Sequence, residues 1–324
     1  METAVPTVTG PVAPDRLGRT LMHEHVFVLN AELERNDPSS FDAAARIPDA
    51  VAKLTELREA GFATIVDLTV FGLGRDVARV AEVAAGAGIN VVAATGWYTF
   101  TDLPNWVAFR GPGTMQGGDD PLETHFVRDI EHGIGETGIR AGVLKCATDK
   151  PGVTPGVERV LRAVAAAHRR TGVPISTHAD AATRRGLEQQ KIFAEEGVDL
   201  SRVVIGHSGD STDLDYLRAL ADQGSTLGMD RFGLESLGGF TDRVETVARM
   251  CELGYADRMV LSHDASCFSH NFDPDFKARR LPDWRYTHIP QDVLPALRER
   301  GVTDAQLTAM LVDTPRRILA GRPS

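Results

Sequence analysis

The stretch Thr20-Leu-Met-His-Glu-His-Val-Phe27 governs the reading of this chain. It reads as a short strand ending at a histidine pair. Side chains alternate faces along a strand, so His23 and His25 share one face and Glu24 takes the other. Two imidazoles on one face, one residue apart, can grip a single metal ion. A lone His-x-His carries little weight among ten histidines in 324 residues. Its company carries more. Four later strand-like stretches each end in a residue able to complete a metal site: Lys145, His178, His207 and Asp264.

The strands read as 20–25, 63–70, 90–98, 141–148, 173–179, 202–208, 225–230 and 258–264. Most are followed by a helical pattern. In 48–61, Ala50, Val51, Leu54, Leu57 and Ala60 fall on one face. Val77, Val80, Ala81 and Ala84 form the next apolar stripe, closed by Gly86 and Gly88. Further helices are expected at 126–133, 155–170, 186–196, 213–223, 242–253, 290–300 and 303–312. A polar stretch (30–40), a polar insertion (99–121) and a long loop after the last strand remain without assigned structure. Alternating β and α elements imply a parallel sheet. Eight such units in this length imply a closed α/β (β/α)8 TIM barrel over 1–324, with no composition break to mark a second domain. The candidate ligands then sit at the C-terminal ends of strands one, four, five, six and eight. That is the end at which such barrels build their active sites.

The bulk properties narrow the function classes. A formal charge of -10 and the lack of a basic run argue against a nucleic-acid partner. Residues 1–7 lack the features of a signal peptide, and no run approaches the ~18 apolar residues of a membrane span. Cys146, Cys251 and Cys267 suggest free thiols rather than a disulfide framework. The expectation is a cytoplasmic protein without a membrane partner.

The candidate ligands have distinct chemistry. His178 lies in Ser-Thr-His-Ala-Asp and His207 in Ile-Gly-His-Ser-Gly-Asp. Imidazole suits zinc, iron, cobalt or nickel, so residue type does not name the metal. Asp264 would bind one ion and accept a proton from a nucleophilic water. Its neighbour His263 then points away, and Cys146 beside Lys145 packs against the helices. Lys145 is the odd member, since a buried ammonium among cations is repelled. It fits if its amine takes up carbon dioxide as a carbamate, an anion able to bridge two metals. A metal-free serine hydrolase is disfavoured, because Gly206-His-Ser-Gly209 lacks the Gly-x-Ser-x-Gly spacing. A non-catalytic barrel is disfavoured by the full set of six candidate ligands.

The order His-x-His, Lys, His, His, Asp resembles the phosphotriesterase branch of the amidohydrolase superfamily over nearly the whole chain. The strings 18–25, 138–145, Gly-Leu-Glu-Gln-Gln (186–190), Glu-Glu-Gly-Val-Asp (195–199), 205–210, Gly-Met-Asp-Arg-Phe-Gly (228–233) and Leu-Ser-His-Asp (261–264) are similar to those of phosphotriesterase-like lactonases, including acyl-homoserine lactone quorum-quenching enzymes. The resemblance implies two divalent ions, with zinc favoured over cobalt, iron or manganese. It implies that His23, His25 and Asp264 hold the more buried ion, and that His178 and His207 hold the more exposed one. Carbamylated Lys145 and a hydroxide bridge them. It also implies a substrate-orienting role for Tyr98, a catalytic role for Arg231, and a homodimer. The bland alternative for Arg231 is a surface ion pair with Asp230. The implied activity is lactone hydrolysis with a weaker phosphotriesterase side reaction. The alternative is a phosphotriesterase or other carboxylic ester hydrolase with lactones as minor substrates.

Two departures bear on the pocket. Many such lactonases carry a tryptophan seven residues after the strand-eight aspartate, and here that residue is Asn271. Phe268, Phe272, Phe276 and Trp284 are the candidate replacement walls, and Trp97 is expected to narrow the mouth.

Overall fold

In a parallel sheet covered on both faces, strands are buried along their length. Val143–Thr148 and Ile175–Ala179 show this, with every residue buried. The computed structural model describes residues 4–98 and 101–320. Its strands are β1 (Thr20–Val28), β2 (Thr64–Asp67), β3 (Asn90–Gly96), β4 (Val143–Thr148), β5 (Ile175–Ala179), β6 (Val203–Ile205), β7 (Thr226–Met229), β8 (Met259–Leu261) and β9 (Ser266–Ser269). They form one parallel sheet in the order β8-β7-β6-β5-β4-β3-β2-β1-β9, with helices between most successive strands.

The sheet curls until its two ends meet in consecutive sequence. β8 and β9 are the halves of an interrupted eighth strand, and β9 pairs with β1 through His25↔Ser266 and Phe27↔Phe268. Between the halves, Asp264 N donates to His23 O at 3.0 Å and His25 N to Ala265 O at 2.9 Å. The interruption is backbone-driven, since Asp264 has φ 55°, a left-handed value. The result is a TIM-barrel-like α/β fold.

Two apolar layers follow from strand alternation. Leu54, Leu57, Val83, Leu161, Val164, Leu217 and Val247 are fully buried in the layer that joins sheet to helices. Each such side chain contributes about 1.5–3 kcal/mol when removed from water. A smaller cluster, including Met22, Val66, Val92, Val143, Val204 and Val260, takes the alternate positions and fills the barrel. Lys145 has the parity of Val143, and Asp264 that of Val260, so both face the barrel interior. On β1 the register shifts between Leu21 and Glu24. Such a bulge re-aims side chains, here at the histidine pair.

Several boundaries differ from the sequence expectation. β1 does not end at the histidines but runs to Val28, because β9 offers it a ladder partner. The helix expected at 48–61 is Ala43–Glu59. The Asp42 carboxylate accepts from Ala44 N and Ala45 N and starts it upstream, leaving Pro48 inside. The helix expected at 126–133 is Pro121–Glu131, started by the Asp120 cap on Leu122 N. The polar stretch 30–40 holds a short helix, Ala31–Asn36, capped by Asn30. The long final loop is also structured, since it contains β9 and the helix Pro274–Arg280. The insertion 99–121 includes the short helix Asn105–Ala108, and its residues Thr99 and Phe100 lie outside the described residues. Among the described residues, no helix is long and apolar enough to cross a membrane.

Candidate metal centre

All six candidate ligands converge at the C-terminal end of the barrel, around a cavity of about 290 Å³. His23 and His25 lie on β1 and Lys145 on β4. His178 lies on β5, while His207 and Asp264 follow β6 and β8. His207 and Asp264 both have left-handed backbones, with φ 61° and 55°. A non-glycine residue enters that region only when its surroundings impose it.

The inward-facing atoms lie close together. Asp264 Oδ1 is 3.1 Å from His25 Nε2 and 3.5 Å from His23 Nε2. His207 Nε2 faces His178 Nδ1 at 3.0 Å. Ligand atoms of His23, His207 and Asp264 lie within 4.8 Å of one another. Lys145 Nζ sits 3.0 Å from His23 Nε2 and donates to Thr177 O at 3.1 Å.

The outward-facing ring atoms explain why these imidazoles present lone pairs to the cavity. Asp230 is fully buried, and its two oxygens take His23 Nδ1 at 2.8 Å and His207 Nδ1 at 2.9 Å. An Nδ1–H given to a carboxylate leaves Nε2 unprotonated and oriented, the usual second layer of a metal-binding histidine. His25 Nδ1 meets Thr69 Oγ1 at 2.9 Å, and that hydroxyl is in turn bonded to Asp67. Burial, joined by the nearby Lys145 charge, lowers the His23 pKa to about 4. Burial also lowers His178, and takes His207 well below the ordinary value. The rings are therefore neutral near pH 7, as metal ligation requires.

Burial likewise lowers Lys145 to about 8. A neutral amine is the form that takes up carbon dioxide. For Asp264, burial pushes the pKa up, but His23, the His25 hydrogen bond, His207 and Arg231 outweigh it and hold the carboxyl well below its usual range. Neutral imidazoles, a carboxylate and a convertible amine around one cavity suit a pair of divalent ions.

Arg231 is not the surface partner of Asp230. Its Nε donates to Asp264 Oδ2 at 3.0 Å and an NH group to Asp210 Oδ2 at 2.9 Å. Its side chain is only 15% exposed, and Asp210 is braced from behind by Arg243 at 2.7 Å. Tyr98 lines the cavity with its ring edge-on to His178, 5.5 Å between centroids. Trp97 does not narrow the mouth. Alternation turns it away from Tyr98, and it is buried against Phe71 and Trp106. Of the four proposed walls, Phe272 and Trp284 line the cavity beside Asn271. Phe268 packs on Phe41 and lines a second cavity rather than this one, and Phe276 is 45% exposed.

Sequence reading missed Asp230, Asp67, Thr69 and Asp210. A carboxylate two residues after Gly228 has the barrel-facing parity, and that signal could have found Asp230. His263 and Cys146 face away from the cavity as expected, His263 toward Glu24 and Cys146 into the helix-facing core.

Behind Trp284 and Phe272 lies a second cavity of about 440 Å³. It shares Ser266, Ser269, Phe272 and Trp284 with the first.

Comparison with known proteins agrees with this arrangement. The model of the phosphotriesterase family matches residues 3–319. The chain is 58% identical over 313 residues to a phosphotriesterase homology protein of Mycobacterium tuberculosis, covering 96% of each. It is 37% identical over 306 residues to an aryldialkylphosphatase of Saccharolobus solfataricus, covering 94% of this chain and 95% of that one. A solved structure described as the phosphotriesterase from Mycobacterium tuberculosis superposes with a TM-score of 0.96 at 57% identity, covering 98% of this chain and 99% of that one. With six ligand-type side chains around one cavity and a family match along nearly its whole length, the chain belongs to the phosphotriesterase family, whose members are binuclear metal-dependent hydrolases.

Proposed function

We propose that this hydrolase opens lactone rings, with N-acyl-homoserine lactones (quorum-quenching chemistry) as the main substrates and organophosphate triesters as slow ones. The observation that carries this reading is the pair of adjoining cavities. The 290 Å³ cavity has room for a small ring beside the proposed ligands. The 440 Å³ cavity behind it is lined by Phe268, Phe272, Leu281, Trp284 and Tyr286, a face suited to an apolar tail, and also by Arg46, Lys53, Glu56, Lys277 and Arg285.

His23, His25 and Asp264 would hold one divalent ion in this proposal, and His178 and His207 the other, with carbamylated Lys145 contributing to both. Zinc is the favoured metal. When bound, the ions supply a hydroxide at neutral pH, by lowering the pKa of water from about 15.7 to about 7, and polarise the substrate carbonyl. Asp264 accepts the nucleophile's proton and delivers it to the leaving alkoxide, so that water and lactone give the hydroxy acid. Arg231, anchored on Asp210, keeps Asp264 ionised and aimed. Tyr98 orients the carbonyl from the His178 side. Phe272 and Trp284 exclude water, which strengthens these electrostatic interactions. The chain acts in this proposal as one domain and as a homodimer in the cytoplasm.

A second reading is a phosphotriesterase with lactones as minor substrates, favoured by the relationship to the aryldialkylphosphatase. Acid release from short- and long-chain acyl-homoserine lactones, simple γ- and δ-lactones and an aryl phosphotriester separates the two. Higher kcat/KM on acyl-homoserine lactones, rising with chain length, supports the first reading. Fast phosphotriester cleavage with slow turnover of every lactone supports the second.

A further inference from the structure

Glu24 separates the two histidines of β1, yet it faces away from the cavity and is fully buried. Its carboxylate spans the residues on either side of Asp264. Oε1 accepts from His263 N at 2.9 Å and Oε2 from Ala265 N at 3.0 Å. His263 Nδ1 lies 2.7 Å from the same Oε1. Ile289 N donates to His263 Nε2 at 3.0 Å. That nitrogen is therefore unprotonated, and the neutral ring carries its proton on Nδ1 and donates it to Glu24. Three N–H donors thus converge on Glu24. Both side-chain oxygens serve as acceptors here, Oε1 for two donors and Oε2 for one.

The grip falls at a strained point. Asp264 holds φ 55°. That left-handed turn directs its carboxylate at His23 and His25 while β8 gives way to β9. The same node reaches the substrate wall, because Trp284 Nε1 donates to His263 O at 2.7 Å. One buried carboxylate thus connects the histidine pair, the turn at Asp264 and the aromatic wall of the cavity.

We propose that Glu24 is a positioning residue that locks Asp264 into its ligating backbone conformation, and that His263 and Trp284 extend this lock to the substrate wall. The lock needs both side-chain oxygens as acceptors. In Glu24→Gln the side chain keeps its size, but its amide NH2 meets an N–H donor where an acceptor is required. The proposal rests on the assignment of Asp264 as a metal ligand.

The test measures zinc content of the purified holoprotein and zinc release to excess chelator, together with folding by circular dichroism. Wild type should hold two zinc ions per chain and Asp264→Asn fewer. Failure of that comparison overturns the ligand assignment and the lock with it. Glu24→Gln should fold and release zinc about 10–100-fold faster than wild type, the range for loss of a second-layer partner. A purely structural role would instead lower the melting temperature of the metal-free protein and leave zinc release unchanged, which would overturn the proposal. If Glu24→Gln does not fold, Trp284→Phe decides, since it keeps an aromatic ring over Lys277 and against Phe272 and removes the bond to His263 O. Faster zinc release from that variant supports the lock, and an unchanged rate refutes it.

Discussion

Nζ of Lys145 lies 3.0 Å from Nε2 of His23, at a position only 1% exposed. Two basic nitrogens in that relationship are compatible because burial lowers the lysine to about 8 and the histidine to about 4. A group with a lowered basic pKa loses its proton as pH rises through that value. The neutral amine fraction of metal-free protein therefore climbs about tenfold between pH 7 and pH 9. Uptake of carbon dioxide needs that neutral amine. Reactivation of metal-free protein by zinc, at a fixed concentration of dissolved carbon dioxide, should accelerate by the same factor. Lys145→Met should show no dependence on carbon dioxide.

Asp230 binds one ligand from each proposed ion position, His23 through Oδ2 and His207 through Oδ1. Asp230→Ala removes the acceptor of both imidazole N–H groups. Zinc affinity should fall about 10–100-fold at both positions. Competition with a chromogenic chelator checks this, and weakening of one ion alone would contradict the shared role.

Arg231 donates to the Asp264 carboxylate at 3.0 Å and helps to hold its pKa well below the usual range. A carboxylate with a depressed pKa acts above that value and fails as pH falls through it. Arg231→Met removes one lowering partner. The acid limb of the kcat/KM profile should move to higher pH, and kcat/KM near neutrality should fall about 10–100-fold. An unmoved acid limb would show that Arg231 touches substrate without acting on Asp264.

Gly96 ends β3 with φ 146°, and a Cβ there would lie 1.9 Å from Lys145 O. Only glycine allows the backbones of β3 and β4 to meet beside the site. Gly96→Ala should cost about 1–3 kcal/mol by forced strand separation. The urea midpoint should fall, with activity lost more steeply than stability.

The apolar runs of the strands and the chemistry at their ends made the barrel and all six convergent side chains legible in the sequence. The eighth strand was not fully legible, because the left-handed turn at Asp264 splits it and its second half resembles loop sequence. Asp230 enters the sequence reading only in the bland alternative for Arg231, although alternation from Gly228 turns it inward. Phe276 reads as a cavity wall because composition shows that aromatics are present and not which way they point, whereas it stands 45% exposed on the helix Pro274–Arg280.

The most direct test is a titration of zinc into metal-stripped protein, with dissolved carbon dioxide present and opening of a long-chain acyl-homoserine lactone as the readout. The account requires negligible activity without metal and a rise that saturates at two ions per chain. Lactone opening that survives complete metal removal, saturates at one ion, or stays absent at full loading would contradict it.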